Sequence, residues 1–407
     1  KKKKIYQQIL YRMGIFYSKD DQETKDAQIS DFEIPKTLSD SLNIFGFEVL
    51  KNSNININQN VVFSPYSAFI CVAMATSLFK SQTKSEILKS LQIPEAKYNT
   101  DDLFKEIRKL LDEENTNNVL ISNHIWANAD LNFDTNTFSP NEKILGIPIK
   151  KVTFPQPGAD QINQTVSNDT NKKITKIVNE SNLTNISFIL LNAIYFDCKW
   201  EKPFQITKYF NNYLRSVFQT LDNRYIEVTV LESRDRKLPF YRDSKFSVVS
   251  IPYLNNQYEF VIVLPKRPTI ELFNNLIQLS YQDLNENYLK NMKEVSLNIR
   301  IPKFSFDFEF NLGKILKSLG MNKAFLINEA ECVDENVPYF ISNVIQKARI
   351  EVDENGTKAA AATVVVGSIG GGPFEFNADH PFLYLIRNIN TGSILFEGFL
   401  VNPKDSI

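Results

Sequence analysis

Residues 354–366 restrict the folds open to this chain more than any other stretch. The stretch begins with a turn at Glu354-Asn355-Gly356 and continues to Val366 without proline or a further glycine. If it is extended, alternate side chains share a face. One face then carries only small or aliphatic uncharged side chains, namely Thr357, Ala359, Ala361, Thr363 and Val365. The sequence therefore predicts a segment that lies outside a sheet in one state and enters it as a strand in another, with Gly356 as the flexible pivot.

Several further blocks of the chain occur in a recognisable order. They include a proline-led helix start, a central apolar strand and a carboxyl-terminal signature: Val62–Ser67, Asn192–Phe196, Pro302–Phe304, Leu319–Phe325, Phe376–Ile386 and Glu397–Pro403. Together with residues 354–366, these blocks resemble the serpins, the serine protease inhibitor family. The resemblance extends from about residue 37 to the end of the chain.

The resemblance implies an α+β fold, with about nine helices packed on three β-sheets. It also implies a single domain at residues 37–407 with an exposed reactive-centre loop at residues 354–375, preceded by an extension at residues 1–36. A length of 407 residues permits two domains, but no low-complexity linker or internal repeat divides the body of the chain.

The first 36 residues differ in character from the rest of the chain. Lys1 to Lys4 form a basic run, and residues 20–31 are polar. A basic run suits a membrane surface or a nucleic acid, but we expect a mobile tail because polar sequence follows. No uninterrupted apolar stretch with a small-residue cleavage site marks a signal peptide. The family resemblance favours an extracellular protein. The lack of a visible signal peptide favours a cytoplasmic or vesicular one, so the two locations remain open.

Composition argues against several other classes of function. A formal net charge of −1 gives the whole chain no electrostatic reason to bind nucleic acid. No apolar run approaches the roughly 18 residues that span a bilayer, so we predict no membrane partner. The three cysteines are far apart and lack metal-ligand spacing, so we expect buried side chains and neither a metal nor a cofactor. They are Cys71, Cys198 and Cys332.

The sequence also predicts that the protein is not an enzyme. Only His124 and His380 are available as catalytic histidines, and neither stands near a Gly-x-Ser-x-Gly elbow. His124 lies in the stretch Ile121–Trp126, which alternates like a strand. No Gly-x-x-x-x-Gly-Lys loop is present to bind a phosphate.

The serpin resemblance implies a mechanical activity. A target endopeptidase attacks the exposed loop and forms a covalent acyl-enzyme, and the cut loop then inserts into the main sheet and distorts the tethered enzyme. We expect a monomer that forms a covalent complex with its target. A non-inhibitory carrier or chaperone is the alternative, although such relatives often place charged or bulky residues on the inserting face.

Two counts along the chain give the same reactive bond. With Glu354 as the seventeenth residue before the cut, or Phe376 as the sixth after it, the bond is Gly370-Gly371. Gly370 has no side chain for a deep pocket, which argues against a trypsin-like target. The small and aliphatic residues before the bond favour an elastase-like serine endopeptidase. A chymotrypsin-like enzyme could instead use Phe374, but that residue follows Pro373 late in the loop, and the tether would be too long. Ile369 leaves open a papain-like cysteine protease.

The resemblance further assigns residues that control insertion. The shutter beneath the main sheet corresponds to Ser64, Ser67, Asn192 and Gln346, and the breach at its upper end corresponds to Trp200. Glu354, Gly356, Thr357, Ala359, Ala361 and Thr363 form the hinge. Serpins usually carry histidine in place of Gln346, but a glutamine can still donate and accept hydrogen bonds, so a neutral network is expected.

Overall fold

The structure is a computed structural model that describes most of the chain from residue 35 onward. The described residues are 35, 37–95, 97–114, 118–133, 138–207, 209–210, 214–356 and 373–404, with only the backbone described at 209, 210, 214, 215 and 255. The expected extension at residues 1–36 lies outside them except for Pro35. Residues 357–372 of the expected loop also lie outside them.

Nine α-helices lie within these ranges. They are α1 (Leu38–Asn52), α2 (Pro65–Met74), α3 (Ser81–Ser90), α4 (Thr100–Glu113), α5 (Ser139–Lys143), α6 (Gly158–Asp169), α7 (Ile270–Ile277), α8 (Tyr281–Asp283) and α9 (Gly313–Ser318). Shorter 3-10 or π turns occur at Ala75–Ser77, Glu180–Asn182, Leu254–Asn256, Leu284–Tyr288, Leu289–Asn291 and Lys323–Phe325. None of the helices in the described part of the chain is long and apolar enough to cross a membrane.

The described residues also form strands throughout the chain. They are β1 (Val61–Phe63), β2 (Val119–Asn128), β3 (Lys150–Val152), β4 (Phe188–Phe196), β5 (Gln205–Thr207), β6 (Tyr209–Phe210), β7 (Leu214–Arg215), β8 (Val217–Gln219), β9 (Tyr225–Glu227), β10 (Val230–Arg242), β11 (Phe246–Pro252), β12 (Tyr258–Pro265), β13 (Lys293–Pro302), β14 (Phe304–Asn311), β15 (Ile341–Val352), β16 (Phe374–Asn377), β17 (Phe382–Asn388) and β18 (Ile394–Leu400). β6 pairs with β7 and β8 with β9 as two-stranded ribbons.

A five-stranded main sheet has the order β14-β15-β4-β2-β3. β14 with β15 and β2 with β4 are antiparallel pairs. β15 and β4, in contrast, are parallel neighbours that pair directly, with Val344 opposite Leu190 and Gln346 opposite Asn192. We call the boundary between β4 and β15 the seam.

Within the described residues, the larger sheet has nine strands in two parts that share β10: β13, β16 and β5 on one side, and β11, β12, β17, β18 and β1 on the other. Its order is β1-β18-β17-β12-β11-β10-β13-β16, with β5 also paired to β10. β10 pairs with β13 over most of its length and with β11 at its end. A register shift between Ser233 and Arg236, with Asp235 at a φ of 48°, bends the strand. One long strand therefore belongs to both parts of this sheet.

Helix α2 supports the main sheet from below. Ser64 caps it, Pro65 occupies its first turn, and all ten of its residues are buried. Its side chains pack in one core with Phe188 and Leu190 of β4 and with Val344 of β15. The nine residues of β4 are buried as well, as expected for a central strand covered on both faces.

The opposite face of the main sheet is covered by α6 and the chain that follows it. We call residues 158–187 the covering segment. Its apolar side chains, which include Ile162 and Val178, form a core with Ile189, Leu191 and Ile345 of the two strands at the seam. Because successive strand residues face opposite sides, each central strand presents one set of side chains to α2 and another to the covering segment.

Candidate functional site

Polar side chains meet beneath the seam in a buried network. The amide of Gln346 accepts from the backbone N–H of Ser64 at 2.8 Å and donates to its carbonyl oxygen at 2.9 Å. The same amide donates to the Oδ1 of Asn192, whose Nδ2 in turn donates to the Oγ of Ser67. Ser67 donates to the Oδ1 of Asn123 at 2.9 Å. These five side chains, which we call the seam network, are at most 5% exposed.

The seam network links the two strands that border the seam. Gln346 on β15 and Asn192 on β4 are direct neighbours in the ladder, and their side chains bond to each other across it. Both also reach the first turn of α2 through Ser64 and Ser67. Because every member is uncharged, this network joins the two strands at the seam without an ion pair.

Asn123 is a member of the network that the sequence interpretation missed. It lies on β2 directly opposite Asn192, and its Oδ1 accepts hydrogen bonds from both Ser67 and Asn192. Within the described part of the chain its Nδ2 has no hydrogen-bond partner. The signal was available in the alternation of residues 121–126, which places this one amide on the apolar face with Ile121 and Ile125.

Trp200 lies where the chain leaves β15. Its indole N–H donates to the carbonyl oxygen of Asp353 at 2.8 Å, and its backbone N–H donates to that of Asn355 at 3.0 Å. Its ring stacks on Tyr253 with centroids 4.4 Å apart. The N–H of Phe204 donates to the carbonyl oxygen of Glu354 at 2.7 Å. We call residues 353–356 the loop base; backbone bonds hold it against the segment around Trp200.

Glycine is the only residue type that fits position 356 in the loop base. Its φ is 131°, a conformation that side-chain-bearing residues rarely adopt. A Cβ here would lie 2.4 Å from both the carbonyl oxygen of Cys198 and the Cα of Lys199. Backbone atoms are in the way, so the clash cannot be relieved by a side-chain rotation.

The loop base carries charge, in contrast to the seam network. Glu354 accepts from the Nζ of Lys303 at 2.7 Å. Burial raises the pKa of Glu354, but the bond from Lys303, a hydrogen bond from the backbone and the charge of Lys303 together outweigh it, and the net shift is downward. Burial raises the pKa of Asp353, which accepts from the N–H of Asn355 at 2.9 Å.

The cysteine beside the loop base is a buried thiol. Cys198 is 4% exposed, and burial raises its pKa to about 11. Cys71 and Cys332 are also buried and unpaired. The described residues contain no cluster of three or more side chains suited to hold a metal ion.

Each of the two histidines lies within hydrogen-bond distance of an aspartate. The Nε2 of His124 lies 2.8 Å from the Oδ2 of Asp169, and the Oγ of Ser122 donates to the same oxygen at 2.7 Å. The serine is therefore bonded to the carboxylate and not to the histidine. His380 lies 2.7 Å from Asp379 through Nδ1 and 2.8 Å from the carbonyl oxygen of Pro265 through Nε2.

The expected loop ends on strand β16. This strand runs parallel to β13, with Phe376 opposite Ile299, and Glu375 lies 3.4 Å from Arg300. The remaining predicted site residues lie outside the described residues: Thr357, Ala359, Ala361, Thr363, Gly370 and Gly371. The structure thus brings the predicted shutter residues together and places Trp200 at the loop base. The part of the reactive-centre loop at residues 357–372, which we call the bait, stays a prediction.

The family model described as Serpin (serine protease inhibitor) matches residues 40–403. The chain belongs to the serpin family. Its sequence is 31% identical over 391 residues to an uncharacterized serpin-like protein of Thermococcus kodakarensis, covering 91% of this chain and 87% of the relative. It is 31% identical over 378 residues to Iripin-2 of Ixodes ricinus, covering 89% of this chain and 92% of that protein.

Among solved structures, the fold resembles the native-state crystal structure of tengpin, a thermophilic serpin. The TM-score is 0.78 at 25% identity, covering 92% of this chain and 96% of that one. These matches confirm the predicted family and the α+β serpin fold. Serpins are generally protease inhibitors, so protease inhibition is the activity that family membership indicates for this serpin.

Proposed function

We propose that this serpin is a suicide-substrate inhibitor that traps an endopeptidase covalently and is not itself an enzyme. The observation that supports this most is the parallel pairing of β15 with β4 between two antiparallel pairs. A strand that entered the seam antiparallel to both neighbours would replace one parallel ladder with two antiparallel ladders. Antiparallel pairing is slightly more stable per residue, and the number of ladder bonds would also rise.

The chain has a segment in the right place to become that strand. β15 ends at Val352, and Asp353 and Gly356 then pair with each other across a tight turn. A chain that continued from this turn back along β15 would run antiparallel to it and into the seam. The segment at residues 357–370 would form a strand of about 14 residues, roughly 45 Å long.

The proposed driving force is the stability that insertion adds. At about 0.5–1.5 kcal/mol for each net hydrogen bond, the new ladders would contribute on the order of 10 kcal/mol. This is comparable to the whole stability of an ordinary domain. The inward side chains must be small and uncharged, because a buried unpaired charge costs several kcal/mol. The alternate residues from Thr357 to Thr363 meet that requirement.

The proposed chemistry begins as ordinary proteolysis of the bond between Gly370 and Gly371. The nucleophile of the target attacks the carbonyl carbon of Gly370, the peptide bond breaks, and Gly371 leaves as a protonated amine. Gly370 stays on the target as an ester or thioester. Insertion then moves the tethered enzyme and distorts its active site before water can hydrolyse the acyl bond. The requirement for cleavage makes the inhibitor a single-use substrate.

We propose a serine endopeptidase of elastase-like or chymotrypsin-like class as the target. The residues before the bond, from Val365 to Ile369, are small or aliphatic and suit a shallow pocket. A papain-like cysteine protease is the second candidate, since Ile369 precedes Gly370. We further propose that residues 37–407 suffice for inhibition, as a monomer and without a cofactor.

Incubation with a panel of elastase, chymotrypsin, trypsin and a papain-like protease tests the proposal. We expect a complex with one of the first two that survives boiling in detergent, with release of a fragment that begins at Gly371. A stable complex with the papain-like enzyme alone would change the target class. Clean cleavage by every protease without a complex would overturn the inhibitor proposal and favour a carrier.

The variant Thr357→Arg separates trapping from cleavage, because it would bury a charge early in insertion. Lys358→Arg is the matched control, since that side chain is predicted to face solvent. We expect Thr357→Arg to be cleaved without forming the complex and Lys358→Arg to behave as the wild type. Full complex formation by Thr357→Arg would show that the inserting face is assigned wrongly.

A further inference from the structure

The covering segment straddles the seam and is fastened on both sides of it. On the β15 side, the Nζ of Lys347 donates to the carbonyl oxygen of Lys176 at 3.0 Å. On the β4 side, the end of α6 is bonded to β2, the next strand beyond β4. A strand inserted at the seam would move β4 and β15 apart by about 4.8 Å, the spacing of one strand. The covering segment must therefore lose contacts on at least one side.

The fastening to β2 consists of two side chains of that strand that bond to one carboxylate oxygen of α6. The Oδ2 of Asp169 lies 2.8 Å from the Nε2 of His124 and accepts from the Oγ of Ser122 at 2.7 Å. Both partners lie on the face of β2 that the covering segment packs against. The side chain of His124 is 14% exposed and that of Asp169 is 34% exposed, so water screens the contact only in part.

The position of Asp169 makes this contact informative. Asp169 is the last residue of α6, where the helix dipole disfavours a negative charge. Burial raises the pKa of Asp169, but the bonds from His124 and Ser122, together with nearby positive charge that includes Lys150, outweigh this, and the net shift is downward. The carboxylate thus depends on β2 and not on its own helix for its stabilisation.

We propose that His124 and Asp169 form a clamp that holds α6 against the main sheet and slows the entry of a strand between β4 and β15. The clamp rests on the proposed function, because it matters only if a strand inserts. It delays seam opening without touching the bait, and it makes these two residues positioning residues for insertion.

Uptake of a synthetic peptide with the sequence of residues 357–370 measures seam opening in the full chain without a protease. We expect Asp169→Ala and His124→Ala each to take up the peptide about fivefold faster than the wild type, which is the loss of one charge-assisted bond. The double variant should be no faster than either single one, because the two residues act as a pair. Asp160→Asn is the matched control: it removes a charge at the opposite end of α6.

Rescue by a conservative variant separates a clamp from a merely structural role. His124→Gln keeps a donor for Asp169, so its uptake rate should stay near that of the wild type, whereas a merely structural role of the ring would make it as fast as His124→Ala. If Asp169→Ala and His124→Ala take up the peptide at the wild-type rate, the clamp proposal fails and the inhibitor proposal stands. If the wild type takes up no peptide and gains no stability on loop cleavage, both the clamp and the inhibitor proposal fail.

Discussion

The seam network and the loop base lie along β15 and the chain that leaves it, but they are built with different chemistry. The seam network consists of five uncharged side chains at most 5% exposed, bonded to one another and to the start of α2. The loop base consists of backbone bonds to the segment around Trp200, together with the ion pair between Glu354 and Lys303. The two regions therefore should respond differently to mutation, salt and pH.

The difference indicates how the two regions divide the control of insertion. Breaking the seam network leaves polar groups without partners in a dry interior, which is costly at any pH or salt concentration. The loop base is partly exposed and charged, so solvent conditions can adjust its stability. We infer that the seam network sets the main resistance to strand entry and that the loop base sets where insertion begins.

The largest effect is expected at Gly356. The variant Gly356→Ala should destabilise the native form by about 3 kcal/mol, because it adds backbone strain and a clash with the chain at Cys198 and Lys199. Gly320→Ala is the matched control, since Gly320 has a φ of 101° but open space around a new Cβ. Thermal unfolding of both variants checks this, and equal losses would show that the close packing of the loop base is unimportant.

A smaller loss is expected in the seam network. Asn192→Ala should lower the free energy of unfolding by about 1–3 kcal/mol and speed spontaneous insertion, since Gln346 and Ser67 lose a partner. Asn60→Ala removes an equally buried asparagine that bonds to the backbone at Val401 and Asn402. Only Asn192→Ala should accelerate peptide uptake, and its effect should be the same at pH 5 and pH 8. If Asn60→Ala accelerates peptide uptake as much as Asn192→Ala does, the seam network has no special role in insertion.

The ion pair at the loop base should contribute less. Lys303 is 40% exposed and Glu354 is 25% exposed, so Lys303→Met should cost about 0.2–1 kcal/mol. The cost should shrink in 1 M salt, where charges are screened within about 3 Å. Lys109→Met breaks the exposed pair with Glu106 on α4 and serves as the control for a surface pair away from the seam. Denaturant unfolding at low salt and in 1 M salt measures how the loss of stability changes with salt. A loss that does not change with salt would assign the effect to packing instead.

The smallest effect is a dependence on pH at Asp353. Burial raises the pKa of this carboxyl in the folded protein above its ordinary pKa in the unfolded chain. The native state therefore loses stability as the pH rises from the unfolded-state pKa through the folded-state pKa. Asp353→Asn keeps an acceptor for the N–H of Asn355 and cannot ionise. We expect the variant to be more stable than the wild type at pH 7 and equally stable near pH 3. A gap of the same size at both pH values would contradict the assignment.

The sequence predicted the parts of the fold that local pattern and family motifs carry. The blocks at Val62–Ser67 and Asn192–Phe196 correspond to the capped start of α2 and to the buried strand β4, and Gln346 bonds in the network in the manner expected of a neutral substitute. Trp200 lies against the segment that precedes the predicted bait. The start of α2 and the strand β4 follow from the residues of those short stretches, whereas the expectations for Gln346 and Trp200 came from the family resemblance.

The sequence did not reveal contacts that depend on long-range geometry. The bond between His124 and Asp169 joins residues 45 positions apart, and nothing in either stretch signals the other. The strand β10 shifts its register against β13 between Ser233 and Arg236, and no glycine or proline at these four positions signals it. Asn123 stood in a visible alternation, but only the packing of α2 beneath it shows which face is buried.

The central claim is that the native sheet is not the most stable arrangement of this chain. Cleavage of the loop with a protease of broad specificity, followed by thermal unfolding of the nicked protein, tests this claim most directly. We expect the midpoint to rise by about 20 °C or more, since insertion adds on the order of 10 kcal/mol. An unchanged midpoint after complete cleavage at Gly370-Gly371 would contradict the account.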